Sequence, residues 1–126
     1  MSSMRKLYRA LCNAFRGIKE AFIEQSFRIL FMIALFVAFC LFYFPFESLE
    51  RAILVLVVAL VLSLELINSQ IERILDILRP DYDEEVRKMK DISAGAVLTA
   101  SIGAVILAFI IILPYIIILF ERVFHN

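Results

Sequence analysis

One carboxylate stands out by where it lies. Glu65 falls inside Ala52–Ile71, twenty residues whose other members carry no charge. A carboxylate deep in an apolar helix costs about 2.5–3.5 kcal/mol on membrane-insertion scales, so it marks a functional position by default. It does not stand alone. At 100° per residue, Glu65, Asn68, Glu72 and Asp76 fall at roughly 0°, 300°, 340° and 20°, within one arc of about 80°. Glu72 lies seven residues beyond Glu65, roughly 10 Å along a helix axis. The four form a polar stripe that runs from inside an apolar segment to its end.

Three chemistries compete for that stripe. Asn and Glu can join transmembrane helices by hydrogen bonds worth ~0.6 kcal/mol. The stripe can instead line a proton or ion path. The third reading starts from repulsion: three acids on one arc need a positive partner, and a divalent cation supplies it. Oxygen-rich acidic sites suit Mg²⁺, which takes one or two carboxylates together with phosphate oxygens. Glu24, before the first apolar run, and Lys90-Asp91, before the last, fall at the same level. Carboxylates for a metal, a lysine for phosphate and a deep carboxylate to accept a proton suit phosphoryl transfer. The sequence has no GxxxxGK[ST] and no Gly-rich loop, so neither a P-loop nor a protein-kinase fold is expected.

The elements that position these residues follow from hydropathy. Of 126 residues, 63% are hydrophobic, and thirteen Lys+Arg balance thirteen Asp+Glu. A soluble domain of this length cannot hide so much apolar surface. Mean hydropathy of +0.91 indicates a membrane protein. The net charge of zero removes the whole-chain argument for nucleic-acid binding. Transmembrane helices are expected over 29–46, 52–72 and 92–120. Leu7, Leu11, Phe15, Ile18 and Phe22 repeat at helical spacing among Arg5, Lys6, Arg9, Arg16 and Lys19, which predicts an amphipathic surface helix over 4–27. The fold expected is one all-α membrane domain over residues 1–126. A turn is expected at Pro45–Ser48, a break at Arg79–Tyr82, a polar connection from Asp81 to Lys90, and a possible kink at Pro114.

Cations set the orientation. Eleven of thirteen lie before residue 29 or between Arg73 and Lys90, against only Arg51 and Arg122 on the other side. By the positive-inside rule the N-terminus and second connection are cytoplasmic and the C-terminus is outside, in a multi-pass protein of a bacterial cytoplasmic membrane. Cys12 and Cys40 lack metal or disulfide spacing, and Cys40 reads as a buried hydrophobe. His125 is next to the end, a poor place for a catalytic base. The first 28 residues lack a signal-peptide pattern.

Glu65-Leu66-Ile67-Asn68-Ser69-Gln70-Ile71-Glu72-Arg73-Ile74-Leu75-Asp76 closely resembles the signature of the prokaryotic diacylglycerol kinase family, E-x-[LIVM]-N-[ST]-[SA]-[LIV]-E-x-x-V-D. Lys90-Asp91-Ile92-Ser93-Ala94-Gly95-Ala96-Val97 is similar to that family's second block, and Glu24-Gln25-Ser26-Phe27-Arg28 to its E-x-x-F-R segment. The resemblance covers essentially the whole chain. It implies a small integral membrane kinase, typically a homotrimer, that uses ATP and Mg²⁺ to phosphorylate a lipid alcohol. It further implies Glu65 as general base, Glu24 and Glu72 as metal ligands, and Asn68, Asp76, Lys90 and Asp91 as supporting residues, Lys90 near the phosphates. Tyr82 resembles an aromatic position of some members and is carried as an adenine contact, with an interfacial anchor as the competing reading. Arg5, Lys6 and Arg9 are candidate phosphate contacts, with lipid headgroups as the alternative.

Gln70, where the signature has Ser or Ala, is expected to hydrogen-bond across a helix interface; Leu75 for Val is a mild change. Ala96, Ala100, Ala104 and Ala108 form a small-residue stripe beside Gly95, Thr99 and Gly103, suited to close helix packing. The expected function is therefore a lipid kinase. Diacylglycerol, giving phosphatidic acid, is the first acceptor considered and undecaprenol the alternative, because the family contains both. A proton-coupled transporter using Glu65 is the reading from another class, and it leaves Glu24 and Lys90-Asp91 idle. A catalytically dead relative is disfavoured by the retained acids.

Overall fold

The computed structural model describes residues 3–81 and 83–124, and those residues form four helices with no strand among them. α1 is Ser3–Ala21, α2 Gln25–Tyr43, α3 Ser48–Leu78 and α4 Glu84–Phe124. The last three are long and apolar enough to cross a membrane. They run up, down and up, with α3 packed against both α2 and α4.

α1 ends earlier than the 4–27 expected from periodicity. Backbone bonds from Phe22 to Lys19 (3.3 Å), Ile23 to Glu20 (3.1 Å) and Glu24 to Ala21 (3.0 Å) tighten the chain into a turn. Packing drives this, since Phe22 meets Phe27 and Phe31 edge-on at ring distances of 5.2 and 4.8 Å. Such aromatic pairs are worth ~0.5–1.5 kcal/mol beyond their burial. Leu7, Leu11, Phe15 and Ile18 remain exposed on α1 as an apolar stripe.

The largest departure is in α4. Residues 84–90, expected as a polar connection, are two turns of helix continuous with the span. Asp83 Oδ1 accepts the Val86 N–H at 2.9 Å and caps the helix. Glu84 and Glu85 occupy its first turn, where the macrodipole favours acids. Arg87 bonds Glu84 at 2.6 Å and Asp91 at 2.8 Å, and Lys88 bonds Glu85 at 3.0 Å, at helical spacings. Hydropathy windows miss such a segment because charge pairing and the burial of one residue, Val86, hold it. The helix measures roughly 60 Å at 1.5 Å per residue, about twice a hydrocarbon core, so part of it stands in water. It continues ten residues beyond Pro114. Before it, Pro80 stops α3: the residue preceding a proline is pushed out of helical geometry, and Arg79 sits at φ −136°, ψ 74°.

The core lies at the end holding the 44–47 turn. Val37, Cys40, Phe46, Leu54 and Ile111 pack together, with Phe44 and Tyr115 against them. Cys40 is buried there as a small hydrophobe, as its setting indicates. Glu50 ties this end twice, accepting the Glu47 N–H at 2.9 Å and the Tyr115 hydroxyl at 2.6 Å. Much of the rest faces outward: only 6% of the most apolar stretch of α4 is buried within the chain.

Candidate active site at the opposite end of the bundle

α3 carries its polar stripe inward. Glu65 is 3% exposed and Asn68 8%, beside buried Ser69, while Glu72 is half-buried and Asp76 exposed. The polar stripe therefore descends along one helix face from a buried carboxylate to an exposed one. Ser26, in the first turn of α2, donates its hydroxyl to Glu65 Oε1. Oε2 of Glu65 takes no hydrogen bond from the described residues, and Glu65 lines an open cleft of about 430 Å³. Asn68, Glu72 and Ser26 line it too, and Ala94, Val97 and Ser101 of α4 close the far side.

Asn68 is half-satisfied. Its Nδ2 donates to Glu72 Oε1 at 3.2 Å, while its Oδ1 is buried without a partner among the described residues. Buried polar atoms are nearly always paired, so an orphaned amide oxygen beside a carboxylate fits a group that the chain itself does not supply. Among the described residues no three His, Cys, Asp or Glu converge as a metal cage. Mg²⁺ needs no such cage, because it shares a few protein oxygens with phosphate and water. The donor set of Asn68 and Glu72 fits that style of binding.

The remaining residues are distributed around this cleft. Glu24 caps the start of α2 and accepts a bond from Arg73 at 3.3 Å, one residue past Glu72. Lys90 pairs with Asp76 and so joins α4 to α3. Asp91, one residue and about 100° further around α4, points elsewhere and is paired to Arg87. Of Lys90 and Asp91, only Lys90 reaches across to α3. Arg9 lies exposed on α1. Tyr82 falls outside the described residues. Gln70 is exposed and makes no hydrogen bond among them, so the bond expected across a helix interface is absent within the chain.

Ser26 and Arg73 are the two site residues that reading by type passed over. Ser26 has one available signal, its place two residues after Glu24 at the head of a span. Arg73 has none, because an arginine at a helix end ordinarily signals only membrane orientation. At the mouth of the 79–83 connection, the Val86 N–H and the Arg79 guanidinium hold the Asp83 carboxyl below its ordinary range.

The family model for prokaryotic diacylglycerol kinase matches residues 12–112. A diacylglycerol kinase of Helicobacter pylori is 35% identical over 107 residues, covering 84% of this chain and 81% of that protein. One from Escherichia coli is 30% identical over 102 residues, covering 80% and 84%. An undecaprenol kinase of Bacillus subtilis is 29% identical over 114 residues, covering 90% and 93%. A buried carboxylate in a cleft between spanning helices and a match across most of the length lead to one assignment: the chain belongs to the prokaryotic diacylglycerol kinase family and is a lipid kinase of the bacterial membrane.

Proposed function

We propose that this kinase transfers the γ-phosphoryl group of ATP to the free hydroxyl of diacylglycerol, giving phosphatidic acid. The observation that carries the reading is Glu65, a buried carboxylate with one oxygen held by Ser26 and the other without a protein partner. In the step, Glu65 Oε2 accepts the proton of the lipid hydroxyl as that oxygen bonds to the γ-phosphorus and the bond to the ADP oxygen breaks. Ser26 fixes the carboxylate so that the lone pair of Oε2 meets the hydroxyl at the headgroup boundary. Positioned general bases contribute about 10²–10⁴-fold. Lys90, paired with Asp76, draws the nucleotide phosphates to the cleft from the water side.

Asn68, Glu72 and Glu24 would hold Mg²⁺ in this reading, although Glu24 is paired with Arg73. The ion neutralises phosphate charge when bound. Asp91 acts only indirectly, through Arg87 and the packing of the α4 start. Arg9 serves as a headgroup or phosphate contact. The cation-rich end faces the cytoplasm, where ATP is, and the C-terminus lies outside. A homotrimer covers the outward apolar faces of the spans; Gly95 and Gly103, whose Cβ positions meet open space, leave α4 room for a neighbour.

Diacylglycerol is preferred because the relatives at 35% and 30% identity bear that name. Undecaprenol is the second reading, since the Bacillus subtilis relative aligns over 93% of its own length. Purified protein in detergent with Mg-ATP is expected to label diacylglycerol in preference to undecaprenol. Labelling of undecaprenol alone reverses the choice, and labelling of neither removes the kinase reading.

A further inference from the structure

The polar cleft does not end at its polar residues. A second space of about 130 Å³ runs along the bundle beneath it, walled by Leu30, Val37, Leu54, Val61, Ala104 and Ala108 among other apolar side chains. The two spaces share two wall residues, Leu30 and Ser101. Ser101 is the one polar side chain in the wall of the apolar space among the described residues. Its hydroxyl, unlike those of Ser63 and Thr99, is not tied to its own helix. Ser63 and Thr99 satisfy theirs on their own helix, bonding the Ala59 carbonyl at 2.7 Å and the Gly95 carbonyl at 2.8 Å. That local bond is the usual resort of a hydroxyl in a helix. Ser101 makes no hydrogen bond among the described residues. A donor left open at the edge of an apolar space is available to an acceptor on a ligand.

We propose that Ser101 determines acceptor specificity by donating its hydroxyl to an ester carbonyl of the lipid. The inference rests on the diacylglycerol reading and deepens it. With the acceptor hydroxyl at Glu65 and a chain in the apolar space, the intervening part of the lipid passes Ser101. In a diacylglycerol that part carries ester groups, one on the carbon next to the hydroxyl-bearing carbon. A polyprenol has only hydrocarbon there. Ser101 is thus a positioning residue for the ester lipid, with no partner to offer the other.

The test compares 1,2-diacylglycerol with a 1,2-dialkylglycerol of equal chain length, which keeps the hydroxyl and chains but lacks the carbonyls. The full chain in detergent is assayed as wild type, Ser101→Ala and Ser101→Thr, with undecaprenol as a parallel acceptor. Wild type is expected to favour the ester by about 3–10-fold in kcat/KM, the range of one hydrogen bond. Ser101→Ala is expected to lower the ester to the ether level through KM, with no further loss on the ether, while Ser101→Thr keeps the preference. Equal loss on ester and ether, or an ester preference that survives in Ser101→Ala, overturns the Ser101 assignment alone. A wild type active on undecaprenol and inactive on both glycerolipids overturns the diacylglycerol reading and the assignment with it.

Discussion

Ser26 on α2 donates its hydroxyl to Glu65 on α3, thirty-nine residues away in the chain, and so fixes one oxygen of the deepest carboxylate in the bundle. The bond holds that carboxylate at one angle between two helices. Ser26→Ala is expected to lower kcat about 3–10-fold, the range of one hydrogen bond, with little change in KM for ATP. Steady-state kinetics with both substrates varied checks this, and an unchanged kcat refutes the positioning role.

Glu65→Gln keeps the shape and the bond from Ser26 but removes the proton acceptor. Transfer is expected to fall by at least ~10²-fold, the lower range for general-base catalysis. Size-exclusion behaviour and helicity should match wild type, because a neutral amide at that depth costs the membrane less than a carboxylate. Near-normal turnover would remove Glu65 from the reaction.

Glu65 was legible because a charge in an apolar run has no inexpensive explanation, and its alignment with Asn68, Glu72 and Asp76 follows from helical period alone. The three spans were legible for the same reason. The start of α4 was not: Glu84 to Lys90 reads as loop by hydropathy, whereas the Asp83 cap, the Arg87 and Lys88 pairs and buried Val86 hold it as helix. The partnership of Glu24 with Arg73 was also hidden, since pairing across forty-nine residues depends on how α2 and α3 pack. Periodicity assigns faces within a helix and is silent on which face meets which.

Lys90 and Asp76 bridge α4 and α3 with Asp76 largely exposed, so the pair contributes at most ~1 kcal/mol to stability. A larger effect on catalysis than on folding is therefore expected. Lys90→Ala should raise KM for ATP about tenfold or more while the unfolding midpoint moves little. Asp76→Asn, which keeps the lysine charge, should be milder. Parallel losses of stability and activity in Lys90→Ala would make the pair a strut only.

The orphaned oxygen of Asn68 yields a metal prediction. Asn68→Leu removes that donor at similar volume, and the Mg²⁺ concentration for half-maximal activity is expected to rise about 10–100-fold, the usual consequence of weakening a metal's immediate surroundings. Chelation should abolish transfer in wild type, with recovery on adding Mg²⁺ back. An unshifted Mg²⁺ dependence in Asn68→Leu would place the metal elsewhere.

Asp83 gives the pH dependence of the α4 start. Its carboxyl is held below the ordinary value of 3.8, first by the Val86 N–H and then by Arg79. A depressed value means that the folded form binds the proton less readily than the unfolded form. The resulting stability is fully present above the ordinary carboxylate range and fades as pH falls through the lowered value. At neutral pH Asp83→Ala should therefore speed amide exchange at Val86 and loosen the helix that carries Lys90. Asp83→Asn keeps a capping oxygen and should fall between the two. On acidification the protection of the Val86 amide, corrected for the intrinsic pH dependence of exchange, should fall in wild type toward the level of Asp83→Asn and should fall less in Asp83→Ala. Equal acid dependence in wild type and Asp83→Ala would mean that other carboxylates of the α4 start, Glu84 and Glu85 in its first turn, anchor the helix instead of Asp83.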